Sequence, residues 1–207
     1  MQTFLECFNL ILTGNKEKSR QAARRVRKLL YGPGKSKDDF KTISSIVENA
    51  PREYKKISEE WRQENFVVAI SVLYFLHNKK DQFDFLFPWL YGLIQHPNGN
   101  IRYAVVRMFE NDLGPLTAHI RIPEIRANYS KNPKYKKADD ILFGLFVNLL
   151  NLAHDLEKPS YQKYKYISSI PSGSYKSVQM VLASLSELCG EDYMEQMEYY
   201  YKRSILF

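Results

Sequence analysis

The stretch from Pro88 to Leu113, PWLYGLIQHPNGNIRYAVVRMFENDL, decides how the chain folds. Trp89, Leu90, Leu93 and Ile94 fall at i, i+1, i+4 and i+5, which is one face of a helix. Pro88 is tolerated in the first turn, where its missing N–H has no intrahelical partner to lose. The run His96-Pro97-Asn98-Gly99-Asn100 is dense in turn formers and ends that helix, and Asn100 is placed to cap the next. Ile101, Ala104, Val105, Met108, Phe109 and Leu113 give the second helix an apolar stripe, which Asn111-Asp112 and Gly114-Pro115 are expected to close. Two such helices cannot bury their apolar faces alone, so like units must stack on them. The pattern predicts an all-α chain built from helical hairpins.

A proline in the first helix, a polar turn, then the aliphatic–Arg pair Ile101-Arg102 followed by small and apolar residues resembles a HEAT repeat. That resemblance implies an α-α superhelix, a HEAT-like solenoid of about four to five hairpins. The family usually places Asp in the turn, where this chain has Asn98 and Asn100, a departure that bears on the Asp–Arg ladder such repeats often form. Spacing supports the repeat. Arg20, Arg62 and Arg102 stand near the starts of candidate second helices at intervals of about 40 residues. Six positions beyond each stands an apolar residue, Val26, Val68 or Met108.

Outward from the centre, the chain reads as a series of hairpins. Helices are predicted over 3–13, 19–31 and 38–49, the last with Phe40, Ile43, Ile46 and Val47 inward. Pro51 opens a segment running through Tyr54 and Ile57 to Trp61, and 65–77 and 83–95 follow. Beyond Leu113 the pattern loosens. Residues 114–137, with three prolines and many basic residues, read as a long connection with at most a short helix, and 157–173 as a second insertion. Between and after them lie helices 138–156, 174–189 and 191–203, the last polar and tyrosine-rich as a solenoid end cap should be. The simplest reading is a single repeat domain over 1–207.

The 207 residues are 44% hydrophobic, as in a folded globular chain. Cys7 and Cys189 lie at opposite ends, match no metal spacing, and read as buried thiols of a reducing compartment. The N-terminal MQTFLECFNLILTG lacks a basic n-region and carries Glu6, so it reads as an amphipathic helix instead of a signal peptide. No apolar run reaches the roughly 18 residues of a membrane span. A cytoplasmic protein without a membrane partner is the expectation.

Charge is the main functional clue. The formal net charge is +7, and it is clustered. Lys16, Lys18, Arg20, Arg24, Arg25, Arg27, Lys28, Lys35 and Lys37 are opposed only by Glu17, and Arg20, Arg24, Arg27 and Lys28 share a helical face opposite the alanines. The second insertion interleaves Lys158, Lys163 and Lys165 with Tyr161, Tyr164 and Tyr166. Cations mixed with aromatics suit a phosphate backbone with stackable bases, although a basic helix face is also what a merely solvated surface looks like.

Signatures of catalysis are few. The histidines His77, His96, His119 and His154 form no i, i+4 pair, and there is no phosphate-cradling glycine loop or nucleophile elbow. Asp139-Asp140 reads as a helix opening, favourable to the N-terminal dipole. No pattern calls for a metal or cofactor, and no catalytic residue is assigned. The reading that follows is a non-enzymatic scaffold whose basic surface takes a protein or a nucleic acid, DNA or RNA. Its candidate binding residues are Arg24, Arg25 and Lys28 on the first of the second helices, Arg62 on the next, Arg107 on the third, and Lys163, Tyr164 and Lys165 in the insertion. The alternative is a resemblance to HEAT-like DNA glycosylases that remove alkylated bases, which implies an aromatic-plus-carboxylate site. Trp61, Trp89 and Asp112 are its candidates here, and they do not align to that family's catalytic motif.

Overall fold

A computed structural model describes residues 3–33, 36–77, 82–127, 133–156 and 173–205. Helix α1 (Phe4–Thr13) starts where it does because Thr3 and Glu6 form a capping box: the Thr3 hydroxyl accepts from the Glu6 amide, and the Glu6 carboxylate accepts from the Thr3 amide at 2.9 Å. It buries Phe4, Cys7, Phe8 and Ile11 and stops at Gly14, where a Cβ would meet the Leu10 carbonyl at 2.6 Å. Asn15 caps α2 (Lys16–Tyr31), accepting from the Lys18 amide, so this helix starts one turn before the sequence pattern places it. Its inner stripe of Ser19, Ala22, Ala23, Val26 and Leu30 packs against α1 and α5, and the small alanines let backbones approach.

A second capping box, Ser36 with Asp39, opens α3 (Lys37–Glu48), and the short α4 (Ala50–Tyr54) follows. Ile43 and Val47 are buried as their spacing predicts, but Phe40 is 44% exposed. The segment from Pro51 to Trp61 is not one helix. The chain leaves helical geometry after Tyr54 and re-enters at α5 (Glu60–Leu73), which ends in a 3-10 turn, Tyr74–Leu76. Helix α5 is apolar on most sides because α1, α2, α3 and α4 all touch it, and it buries Phe66, Val67, Ala69, Ile70 and Leu73. Phe66 meets Phe8 edge-on, with ring centroids 5.9 Å apart. Val68, one of the periodic apolar positions, is 37% exposed, whereas Val26 and Met108 are fully buried.

The central hairpin is α6 (Phe87–Leu93) and α7 (Gly99–Leu116). Asn98, not Asn100, caps α7: its Oδ1 accepts from the Asn100 amide at 2.9 Å. Nor does α7 stop at Asn111-Asp112. It runs through Pro115 to Leu116, and carbonyls of its last turn find donors: the Thr117 amide and hydroxyl both reach Leu113 O, and Arg121 Nη2 donates to Gly114 O at 2.9 Å.

Polar side chains lace the starts of α2, α5 and the 96–100 turn. Ser19 Oγ donates to Ile11 O at 3.0 Å, and Asn65 Nδ2 donates to that hydroxyl at 3.1 Å. Asn98 and Asn100 each donate an amide N–H to the Glu64 carboxylate at 2.9 Å, and Arg102 Nη1 donates to His96 O and Pro97 O.

By their contacts the residues fall into two compact units, one up to Met108 and one from Phe109 onward. In the second, the 114–137 connection is largely helical: α8 (Ala118–Arg121) and α9 (Pro123–Arg126) occupy it, and α10 (Pro133–Leu156) begins before Ala138. Leu142, Leu145, Phe146 and Leu149 of α10 pack toward α11 (Gly173–Cys189), which buries Val178, Val181 and Leu185. Gly190, at φ 79°, turns the chain into α12 (Glu191–Ile205); only glycine takes that geometry without strain. Helix α12 touches both α10 and α11, burying Met197 and setting Tyr201 edge-on to Phe146. The insertion at 157–172 lies outside the described residues. The described residues form helices and no strand, and no described helix is long and apolar enough to cross a membrane.

Candidate functional site

Because α2 turns its alanine stripe inward, its cations have only one place to go. Arg24 and Lys28 stand directly opposite the buried stripe, with Arg20 and Arg27 on one flank and Lys18 and Arg25 on the other, all exposed. Gln21, Arg24, Arg25 and Lys28 enclose a shallow surface depression of about 290 Å³. Among the described residues, no carboxylate lies within ion-pair distance of Arg20, Arg24, Arg25, Arg27 or Lys28. Elsewhere in this unit cations do find carboxylates: Lys41 with Asp38, Lys56 with Glu53, and Arg62 with Glu59.

That crowding opposes helix formation. Arg20, Arg24 and Lys28 repeat at i, i+4, where like charges cost roughly 0.2–0.5 kcal/mol per pair. Lys16 and Lys18 sit in the first turn, at the positive end of the dipole, with Glu17 alone to offset them. The helix holds because α1 and α5 cover its other side.

The remaining sequence-predicted residues go different ways. Arg62 is a structural group: its side chain is 12% exposed, pairs with Glu59 at 3.1 Å, and lies over the Trp61 ring at 4.5 Å. Its Nη1 donates to Ile11 O at 3.2 Å and to Leu12 O, closing the last turn of α1. The Glu59-x-x-Arg62 spacing was the available signal for that role. Arg107 is exposed on α7, one turn beyond the exposed Tyr103. Lys163, Tyr164 and Lys165 lie outside the described residues. Of the glycosylase candidates, Trp61 carries the Arg62 guanidinium, Trp89 meets Tyr54 edge-on at 5.8 Å, and Asp112 is 3% exposed.

A second constellation was not visible in the sequence. In the second unit Asp139 is not a helix-opening residue, since α10 has already begun at Pro133. Its Oδ1 accepts from Tyr193 Oη at 2.5 Å and lies 2.8 Å from His119 Nε2. His119 is 3% exposed and stacks on Tyr135 at 5.6 Å. The three residues tie α8, α10 and α12 together beside an open pocket of about 650 Å³, whose lining includes Arg126, Cys189 and Gly190. Burial, with the Asp139 charge, pushes the Cys189 thiol up to about 12, so it stays protonated at neutral pH and is not a nucleophile. Burial likewise raises Cys7, the Arg25 charge pulling partly back. Both cysteines are free. His96 is lowered by burial, and its Nδ1 accepts from the Asn98 amide at 3.0 Å, a turn contact. Among the described residues, no cluster of three or more His, Cys, Asp or Glu is placed to hold a metal ion.

No family model, curated protein or solved structure matches the chain. The arrangement of side chains therefore carries the functional reading by itself. The α2 face can attract and hold a polyanion. The Asp139 cluster, with its hydrogen-bonding capacity directed at His119 and Tyr193, holds helices in place.

Proposed function

We propose that the chain is a non-enzymatic, HEAT-like helical scaffold that binds a polyanionic partner, a nucleic acid or an acidic protein, through the solvent face of α2. One observation carries this reading: five cations from Arg20 to Lys28 stand exposed on one helix with no carboxylate in ion-pair distance, whereas Lys41, Arg52, Lys56 and Arg62 of the same unit each have one. A like-charged ridge that costs its own helix stability gains a purpose when a partner supplies the counter-charge. The hairpin of α1 and α2, the packing of α2 beside α5, and the polar contacts among Ser19, Asn65, Glu64, Asn98 and Asn100 support a stacked-repeat architecture.

Elution from an immobilised heparin column tests the reading. The wild-type protein is expected to elute well above physiological salt, and the triple variant Arg24→Glu, Arg25→Glu, Lys28→Glu near the void, with unchanged helical circular dichroism. Co-elution of the two proteins would sink the proposal.

A further inference from the structure

The ridge on α2 does not end in a cation. Tyr31, the last residue of the helix, follows Arg24 at i+7, Arg27 at i+4 and Lys28 at i+3, and is 73% exposed. Arg20, Arg24, Arg27, Lys28 and Tyr31 thus form one strip about 16 Å long, with the cations of its i, i+4 row about 6 Å apart. The strip combines a row of fixed positive charge with an open aromatic face at one end. Among the described residues no packing partner accounts for that ring: α2 buries its apolar contacts through Ala22, Ala23, Val26 and Leu30, on the other side of the helix.

We propose that this strip binds single-stranded nucleic acid, the backbone phosphates running along Arg20, Arg24, Arg27 and Lys28 and a base stacking on Tyr31. The assignment rests on the polyanion reading above and narrows it. A single strand offers both things the strip can use, backbone charge and unpaired bases with free π-faces, and its flexible backbone adapts to a straight row of cations. A duplex keeps its bases stacked internally and leaves Tyr31 without a partner. An acidic peptide would neutralise the cations but has no use for the ring. A lipid surface fits worse, because the apolar stripe of α2 is covered by α1 and α5 and the solvent face presents no aliphatic side chain.

The test is fluorescence anisotropy with four probes: a labelled mixed-sequence 12-mer single strand, the same strand with abasic sites, a blunt hairpin duplex, and a poly-glutamate peptide. The proteins are the wild type, Tyr31→Ala, Tyr31→Phe and the pair Arg24→Glu, Lys28→Glu. Tyr31→Ala is expected to weaken the single strand about tenfold, the scale of one lost base stack, and Tyr31→Phe to restore it. The abasic strand should bind wild type and Tyr31→Ala equally, and the charge pair should lose every probe. Equal single-strand binding by wild type and Tyr31→Ala, or tighter binding of duplex or poly-glutamate than of single strand, overturns the single-strand assignment. If the charge pair still weakens binding, the polyanion reading survives. If the charge pair binds like wild type, both fall.

Discussion

Replacing Asp139 by alanine should unfasten α12 from the second unit. In the native structure one carboxylate oxygen serves two groups, His119 Nε2 at 2.8 Å and Tyr193 Oη at 2.5 Å. Hydrogen bonds to a charged group contribute about 1.5–3 kcal/mol net, and a buried group left without its partner costs more than an exposed one. Tyr193 is half-buried and regains water readily, so its share lies at the low end. His119 is 3% exposed and cannot regain water without local opening. The two together give about 3 kcal/mol for Asp139→Ala, against about 1.5 kcal/mol for Tyr193→Phe, which loses one bond and keeps the ring. Hydrogen exchange read by mass spectrometry suits the measurement, because it reports the opening of α12 itself and does not require a single cooperative melt from a chain with two units. Amide protection across Glu191–Ile205 should fall about a hundredfold in Asp139→Ala and about tenfold in Tyr193→Phe. Unchanged α12 protection in Asp139→Ala, or equal effects of the two substitutions, would refute the claim that this carboxylate ties the helices together.

Other outcomes follow from the same geometry. Arg62→Ala removes the donor from the last turn of α1 and should lower unfolding stability by about 2 kcal/mol, measured by urea denaturation with circular dichroism. Gly190→Ala forces a Cβ into left-handed geometry and should cost about 1 kcal/mol, with Gly190→Asn costing less, by the same assay. The Cys189 thiol, pushed up from 9.0 to about 12, stays protonated in the folded state while the unfolded thiol ionises. Its stabilisation is therefore complete below pH 9 and is lost as pH rises from 9 toward 12; Cys189→Ala should flatten that alkaline decline in a pH series of urea melts. Both buried thiols should also resist iodoacetamide at pH 8 in the folded protein and react once it is unfolded in urea.

Wherever local chemistry decides, the sequence alone was informative. Apolar spacing at Ala22, Ala23, Val26 and Leu30 placed the inner side of α2 and, by subtraction, its basic side. Helix starts were harder, since capping depends on which of two adjacent candidates takes the turn, and Asn98 took it in place of Asn100. Pro115 looked like a terminator because its N–H is missing, but α7 continues to Leu116, where Thr117 and Arg121 donate to Leu113 O and Gly114 O. Arg62 looked like a free surface cation and is instead committed to α1 carbonyls some 50 residues away in sequence. The Asp139 cluster was invisible for the same reason: His119, Asp139 and Tyr193 are separated by intervals that no helical period relates. Tyr31 was legible only as a helix-ending residue, and its exposure beside the cations required the folded α2.

The most direct test of a polyanion-binding α2 is the salt dependence of binding to a labelled single-stranded oligonucleotide, for the wild type and the triple variant Arg24→Glu, Arg25→Glu, Lys28→Glu. Each phosphate contact on a single strand contributes about 0.7 to the slope of log K against log salt, so losing the Arg24 and Lys28 contacts should flatten the slope by about 1.4 and weaken binding most at low salt. Matching slopes and affinities for the two proteins would contradict the account.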